Sequence, residues 1–273
     1  MSNDIEANGH ERQAGDIMDN LTAPNLSDWP DPVEWVNPSG RSPVILLCEH
    51  ASNHIPACYN GLGLGPADLD RHIAWDIGAA AVTRRLSALL DAPALLGTYS
   101  RLLIDLNRPP EGEGSIVAWS EGTPIPANDG LDAVERALRQ ARIFTPYQNA
   151  IGALIDAQVA AGSPAILVAI HSFNPVFLGH ARPWHAGILF GRAAALGERL
   201  VARLAADASL HIGVNQPYSV SRQEDYAILV HGDDRGIPAV LIEIRNDELA
   251  DDAQIDAWAR RLAAILAPEA AAP

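Results

Sequence analysis

Histidine and carboxylate side chains follow aliphatic runs at three separate places in this chain. Val44-Ile45-Leu46-Leu47-Cys48 leads into Glu49, His50, Asn53 and His54. Ala165–Ile170 leads into His171, Ser172 and Asn174, and Val240-Leu241-Ile242 leads into Glu243 and Arg245. In an open α/β sheet the carboxyl ends of parallel strands border the crevice where ligands bind. Three such runs would deliver two imidazoles and a carboxylate to one edge. Imidazole suits zinc, and a catalytic zinc takes three protein ligands while leaving a position for water. His50 and His171 are candidates for two of them. Asp76, in RHIAWDIGA, is the best-placed third, with Glu49 and Asn53 as rivals. Glu243 has the chemistry of a general base, and Arg245, two residues on, shares its strand face as the second candidate catalytic residue. Each residue also has a purely structural reading: a hydrogen-bonded core histidine, an N-cap for Asp76, an ion pair between Glu243 and Arg245. Their joint placement favours chemistry.

A second group lies in Tyr99–Pro109, where Arg101, Asn107 and Arg108 stand close together in a chain poor in basic residues. A guanidinium offers paired donors that match a carboxylate, so these three read as a clamp for a small acidic substrate. The competing reading is an internal salt bridge from Arg101 to Asp105. Asn174, Tyr218 in the turn-prone Gly213–Ser219 stretch, and His231 complete the substrate-binding candidates. His10, His72, His180, His185 and His211 read as surface or structural. No GxGxxG, P-loop, CxxC or GxSxG element is present, which disfavours nucleotide cofactors and a serine nucleophile.

The elements that must position these residues alternate. Strands are expected at Val44–Cys48, Ala94–Tyr99, Leu102–Asp105, Pro164–Ile170, Gly187–Phe190 and Ile237–Ile244. Helices are expected from near Asp76 through AAAVTRRLSALL, from about Leu131 to Ala160 with a break near Pro146, from Ala193 to Leu204, and from Asp252 to Leu266. Pro109–Gly130 is rich in glycine and proline and reads as an extended loop able to act as a lid. This alternation predicts a single α/β domain with a mostly parallel mixed sheet flanked by helices. Residues 1–43 lack periodicity and read as an irregular tail and lead-in; residues 44–273 form the domain.

The 273 residues are 48% hydrophobic and 19% charged, which suits a soluble globular chain. Nineteen basic against 34 acidic residues give a net charge of -15, which disfavours nucleic acid and anionic membranes as partners. The polar, acidic start lacks the basic and apolar regions of a signal peptide, and no apolar run is long enough to span a bilayer. A cytoplasmic location follows as the expectation. Cys48 and Cys58 do not read as a disulfide framework. Oligomeric state is not legible.

CEHASNHIP, HIAWDIGA, YSRLLIDLNRP, IHSFNP, NQPYS and IEIRND resemble, in order, segments of the N-formylglutamate amidohydrolase family, from roughly Val44 to Asp247. The resemblance implies a hydrolase with one zinc per chain that cleaves N-formyl-L-glutamate to formate and glutamate, late in histidine breakdown. It also implies the phosphorylase/hydrolase-like fold shared with zinc carboxypeptidases. IHSF resembles their late histidine-ligand segment, which maps to His171. IEIR resembles the segment with their catalytic glutamate, mapping to Glu243, and DLNRP their carboxylate-gripping pair, mapping to Asn107 and Arg108. The carboxypeptidase His-x-x-Glu motif has Asn53 at its final position here, a departure that favours Asp76 over Asn53 as the third ligand and leaves the choice open. A deacylase acting on another N-acyl substrate and a non-catalytic binder of an acidic metabolite are the competing functions.

Overall fold

A computed structural model describes residues 29–271. Seven strands form one sheet in the order β1-β3-β2-β6-β11-β9-β10. They are β1 (Val33–Val36), β2 (Val44–Cys48), β3 (Ala94–Gly97), β6 (Ile166–Phe173), β9 (Ala186–Leu189), β10 (Ile212–Val214) and β11 (Ala239–Arg245). β2 runs parallel to β3 and β6, and β6 parallel to β11. β1 is antiparallel to β3, and β9 antiparallel to β11. The sheet is therefore mostly parallel but mixed, within a single domain.

Alternate residues of the central strands feed two separate cores, as the period of two requires. Ile45, Leu47, Leu167, Ala169, Ala239 and Leu241 face one way. There they meet Tyr147, Ile151 and Ile155 of α4 (Thr145–Ala160). Leu46, Val168, Ile170, Val240 and Ile242 face the other way. Against them pack Val82 and Leu86 of α2 (Ala79–Leu90), Leu196 and Leu200 of α5 (Ala194–Leu204), and Trp258 and Leu262 of α6 (Asp252–Ala270). Sandwiched between helices, these strands are apolar on both faces, which is why they read as unbroken aliphatic runs. Smaller elements complete the chain: α1 (Pro66–Leu69), α3 (Ala133–Arg139), and the two-residue pairs β4 (Trp119–Ser120) with β5 (Thr123–Pro124) and β7 (Val176–Phe177) with β8 (His180–Ala181).

Several expectations need correction. The lead-in before residue 44 is not wholly irregular, because β1 lies within it; residues 1–28 lie outside the described residues. Only four residues long and bracketed by Pro32 and Pro38, β1 takes its order from pairing with β3, a partner some 60 residues distant in sequence. Leu102–Asp105 is a turn, not a strand. Ser100 fixes it, accepting from Leu103 N through its carbonyl at 3.0 Å and donating from Oγ to Ala74 O at 2.9 Å. Its leucines are buried; an apolar run signals burial, not conformation. The helix expected to break near Pro146 continues instead. A π turn, Gln140–Phe144, joins α3 to α4, a wider turn that can accommodate a proline lacking its amide donor. β6 also extends past Ile170, so His171 and Ser172 are strand residues. Cys48 is buried and Cys58 exposed, both as free thiols. Among the described residues no helix is long and apolar enough to cross a membrane.

Candidate active site

His171 and Glu243 are register partners on adjacent parallel strands, so their side chains leave the sheet on the same face. His50 follows β2, which pairs with β6 on its other side. Asp76 precedes α2, held by its amide, which donates to His50 O at 2.9 Å. It does not cap the helix; the N-cap is Gly78.

These elements bring His50, Asp76 and His171 together, with ligand atoms within 4.8 Å of one another, all buried. The ring orientations are informative. His50 Nδ1 and His171 Nδ1 converge on the same oxygen, Asp76 Oδ2, at 3.3 and 2.8 Å. The outer nitrogens diverge, His50 Nε2 to Asp105 Oδ1 at 2.7 Å and His171 Nε2 to Glu49 Oε2 at 3.1 Å. Both nitrogens of both rings thus face carboxylate oxygens. A neutral imidazole carries one N–H, so one nitrogen of each ring would set a lone pair against an anion. A second proton on the ring removes that conflict, and so does a cation at the point of convergence, which leaves Nε2–H of each ring donating to its own carboxylate, the usual arrangement behind metal-ligating histidines. The residues therefore fit a divalent metal ion held by two imidazoles and a carboxylate.

Electrostatics in the cluster are strong. Burial alone would raise Asp76, yet the adjacent His50 and His171 hold it well below the usual carboxylate range. Burial likewise opposes Asp105, but Arg101 and His50 hold it low. Burial opposes charging His171, and its bonds to Asp76 and Glu49 nevertheless push it well above the ordinary histidine value. Glu243 differs: burial raises it to about 7, only partly opposed by His171. Its Oε2 is buried without a hydrogen-bond partner.

His50, Asp76, His171 and Glu243, but not the outer carboxylate Glu49, open onto a cavity of about 520 Å³, whose wall also includes Arg101, Asp105, Asn107, Arg108 and Tyr218. Trp119, Ser120 and Glu121 line it from the glycine-rich loop. The β4–β5 hairpin brings them there through a turn with positive φ at Glu121 (45°) and Gly122 (80°), as tight hairpin turns require.

Arg101, Asn107, Arg108 and Tyr218, the expected substrate contacts, line this cavity, though three of them are already engaged. Arg101 donates to Asp105 Oδ2 from Nε at 3.0 Å and Nη2 at 2.7 Å, the internal salt bridge that competed with the clamp. Arg108 is paired with Glu224, and Asn107 Oδ1 accepts from Tyr226 N and Ala227 N at 3.1 and 3.0 Å. Three expected site residues do not line the cavity. Arg245 bonds Asp247 and Glu248 rather than Glu243, because β11 ends there and the chain turns. Asn174 is engaged with Glu121 and Asn246. His231 is buried in a π turn, 2.8 Å from Gln148 Oε1. Of the rival ligands, Asn53 donates to Leu69 O at 3.0 Å and Glu49 stands behind His171. Sequence reasoning missed His72, which lines the cavity with Nδ1 3.6 Å from Asp76 Oδ1; burial lowers it to about 4. Its i,i+4 spacing to Asp76 was the available signal. Asp105 entered only as a partner for Arg101, and Arg182 carried no motif.

The molecule is thus a single mixed-sheet α/β domain with a candidate metal centre in a polar cavity at one sheet edge. The chain belongs to the N-formylglutamate amidohydrolase family, whose sequence profile matches residues 42–250. A solved structure of a gene product from Agrobacterium tumefaciens is 36% identical, with a TM-score of 0.85 over 88% of this chain and 95% of that one. N-formylglutamate amidohydrolase from Ralstonia eutropha shares the fold, with 16% identity and a TM-score of 0.63 over 88% of this chain and 97% of that one. Among curated proteins none matches the chain.

Proposed function

We propose that this protein is a zinc-dependent amidohydrolase that cleaves the formamide bond of N-formyl-L-glutamate or a closely related N-acyl amino acid. The observation that carries the reading is the convergence of His50 Nδ1 and His171 Nδ1 on Asp76 Oδ2 beside the unpartnered Glu243 Oε2. His50, Asp76 and His171 are the proposed ligands. A zinc ion held there would supply Lewis acidity toward a water and a carbonyl oxygen. Glu243 is the general base: it takes a proton from water as the water oxygen adds to the acyl carbon. It then delivers that proton to the amide nitrogen as the C–N bond breaks, releasing formate and the free amine. Asp105 and Glu49 hold the two imidazoles in one tautomer and orientation. Asn107, Arg108 and Tyr218 are the proposed substrate contacts, a reading supported by their position in the cavity wall.

The test is formate release from N-formyl-L-glutamate by the purified protein, before and after chelation and after zinc is restored. Activity that disappears on chelation and returns with zinc supports the reading. Activity indifferent to chelation removes the metal; a chelator-sensitive enzyme active only on another N-acyl amino acid corrects the substrate.

A further inference from the structure

Two arginines line the cavity, and both are already committed to carboxylates: Arg101 to Asp105 and Asp76, and Arg108 to Glu224. A third, Arg182, is not in the wall itself but packs against two of its residues, Phe177 and Tyr218. Arg182 differs from the other two. It follows the β7–β8 hairpin, is 9% exposed, and has no carboxylate within ion-pair distance among the described residues. Its Nη1 is buried with no hydrogen-bond partner. Aromatic faces surround it instead, with the guanidinium carbon 4.4 Å from the Phe177 ring centroid, 4.7 Å from Tyr218 and 5.9 Å from Phe173. Such contacts recover part of what a guanidinium loses on leaving water. Tyr218 also hydrogen-bonds the guanidinium, but Nη1 stays unsatisfied, and a buried charge without a counter-charge is costly. The planar fork is the shape that matches a carboxylate.

Location gives this cation a use. Phe177 and Tyr218, the two nearest rings, both line the cavity that holds Glu243 and the His-Asp-His cluster. Burial raises the Tyr218 hydroxyl and Glu243 adds to the rise, while Arg182 opposes it through its charge and a hydrogen bond, so both charges are felt at that one ring. Asp76, Asp105, Glu224, Asp225 and Glu243 also line the space, in a chain of net charge -15. An acidic ligand entering such surroundings needs a cation not already neutralised.

We propose that Arg182, framed by Phe177 and Tyr218, is the specificity-determining residue that receives a carboxylate of the substrate. Arg101 instead serves the Asp76–Asp105 pair. This deepens the amidohydrolase reading and rests on it for the identity of the substrate.

Binding of N-formylglutamate to the zinc-loaded protein is compared calorimetrically with that of N-formylglutamine and of the N-formylglutamate α-amide. Each analogue neutralises one carboxylate. Charge-assisted bonds predict that the wild type prefers the diacid over one analogue by on the order of tenfold or more. In Arg182→Met that preference collapses, while the preference over the other analogue persists. Arg182→Lys, which keeps the charge but loses the fork, falls between, and carries the test if the methionine variant fails to melt cooperatively. A wild type indifferent to both amides, or variants that keep both preferences, overturns the proposal. Formate release by the wild type is read separately. Arg182-dependent binding without formate release would sink the reaction and leave the carboxylate site standing; formate release with unaltered variant preferences would do the reverse.

Discussion

His50 and His171 owe their usefulness to what stands on both sides of each ring. A strand-end histidine alone is commonplace, but one oriented by Asp105 or Glu49 on Nε2 presents Nδ1 in a fixed direction. Replacing Asp105 by Asn should therefore weaken zinc binding by about 10–100-fold, measured by competition with a chromophoric chelator; unchanged affinity would reduce Asp105 to a partner of Arg101. Glu243→Gln should leave zinc content intact while lowering kcat by about 10²–10⁴-fold, and near-normal turnover would remove Glu243 as the base. His231 makes a different prediction, about stability. Burial depresses it to about 4 from an ordinary 6.5, so between those values the unfolded chain binds a proton that the folded chain refuses. Its contribution is intact above about pH 6.5 and declines as pH falls toward 4, by at most about 3 kcal/mol. Urea unfolding at pH 7 and pH 4.5 should show the gap between wild type and His231→Gln narrowing in acid; a constant gap would exclude His231 as the titrating group. The sequence exposed His50, His171 and Glu243 because each follows an aliphatic run. It hid Arg182, since a cation matched by aromatic rings from Phe173, Phe177 and Tyr218 leaves no local pattern.

At the scale of elements, placing the site depends on a few close backbone approaches. Gly187 on β9 lies opposite Glu243 on β11, and a Cβ there would fall 1.7 Å from Gln216 O. The loop that presents Tyr218 packs directly over β9, and only glycine allows it. Gly187→Ala should displace that loop, costing about 1–3 kcal/mol of stability and raising KM more than it lowers kcat. Thermal denaturation and steady-state kinetics check both effects, and a variant with unaltered KM would separate the loop from substrate binding. Gly97 does the same for β2, since its Cβ would meet Glu49 O at 2.2 Å. Neither constraint is readable from one chain, because the clash is with a backbone distant in sequence. Strands β2, β6 and β11 were legible as aliphatic runs, and α2, α5 and α6 as amphipathic ones. Leu102–Asp105 has the same composition as a buried strand and is a turn, because Ser100 captures the backbone groups a neighbouring strand would have used.

Across the whole molecule, the proposed metal would couple its binding to folding through the gathered carboxylates. Without a cation, Asp76, Glu49 and Asp105 crowd two imidazoles in a buried space. A ligand that binds only the folded state stabilises it, by about 4 kcal/mol at a thousandfold excess over Kd. Chelation should lower the melting temperature of the wild type, and zinc should restore it in a concentration-dependent way. Asp76→Asn should lose most of that response; an identical response in both would place the stabilising cation elsewhere. The sequence by itself determined the fold class, the family, and the residue types that meet at the sheet edge. These depend on local signals: strand-length aliphatic runs, period-two alternation, and six ordered motifs. Tertiary structure alone brings Asp76, rather than Asn53 or Glu49, within reach of both His50 and His171, and leaves Arg245, Asn174 and His231 outside the cavity wall. It also decided that Arg101 is paired with carboxylates while Arg182 has no carboxylate partner among the described residues. Each of those outcomes turns on a distance of a few ångströms between groups up to 122 residues apart in the chain. Such a separation is set by how the sheet and its loops pack, and it leaves no trace in the order of the residues.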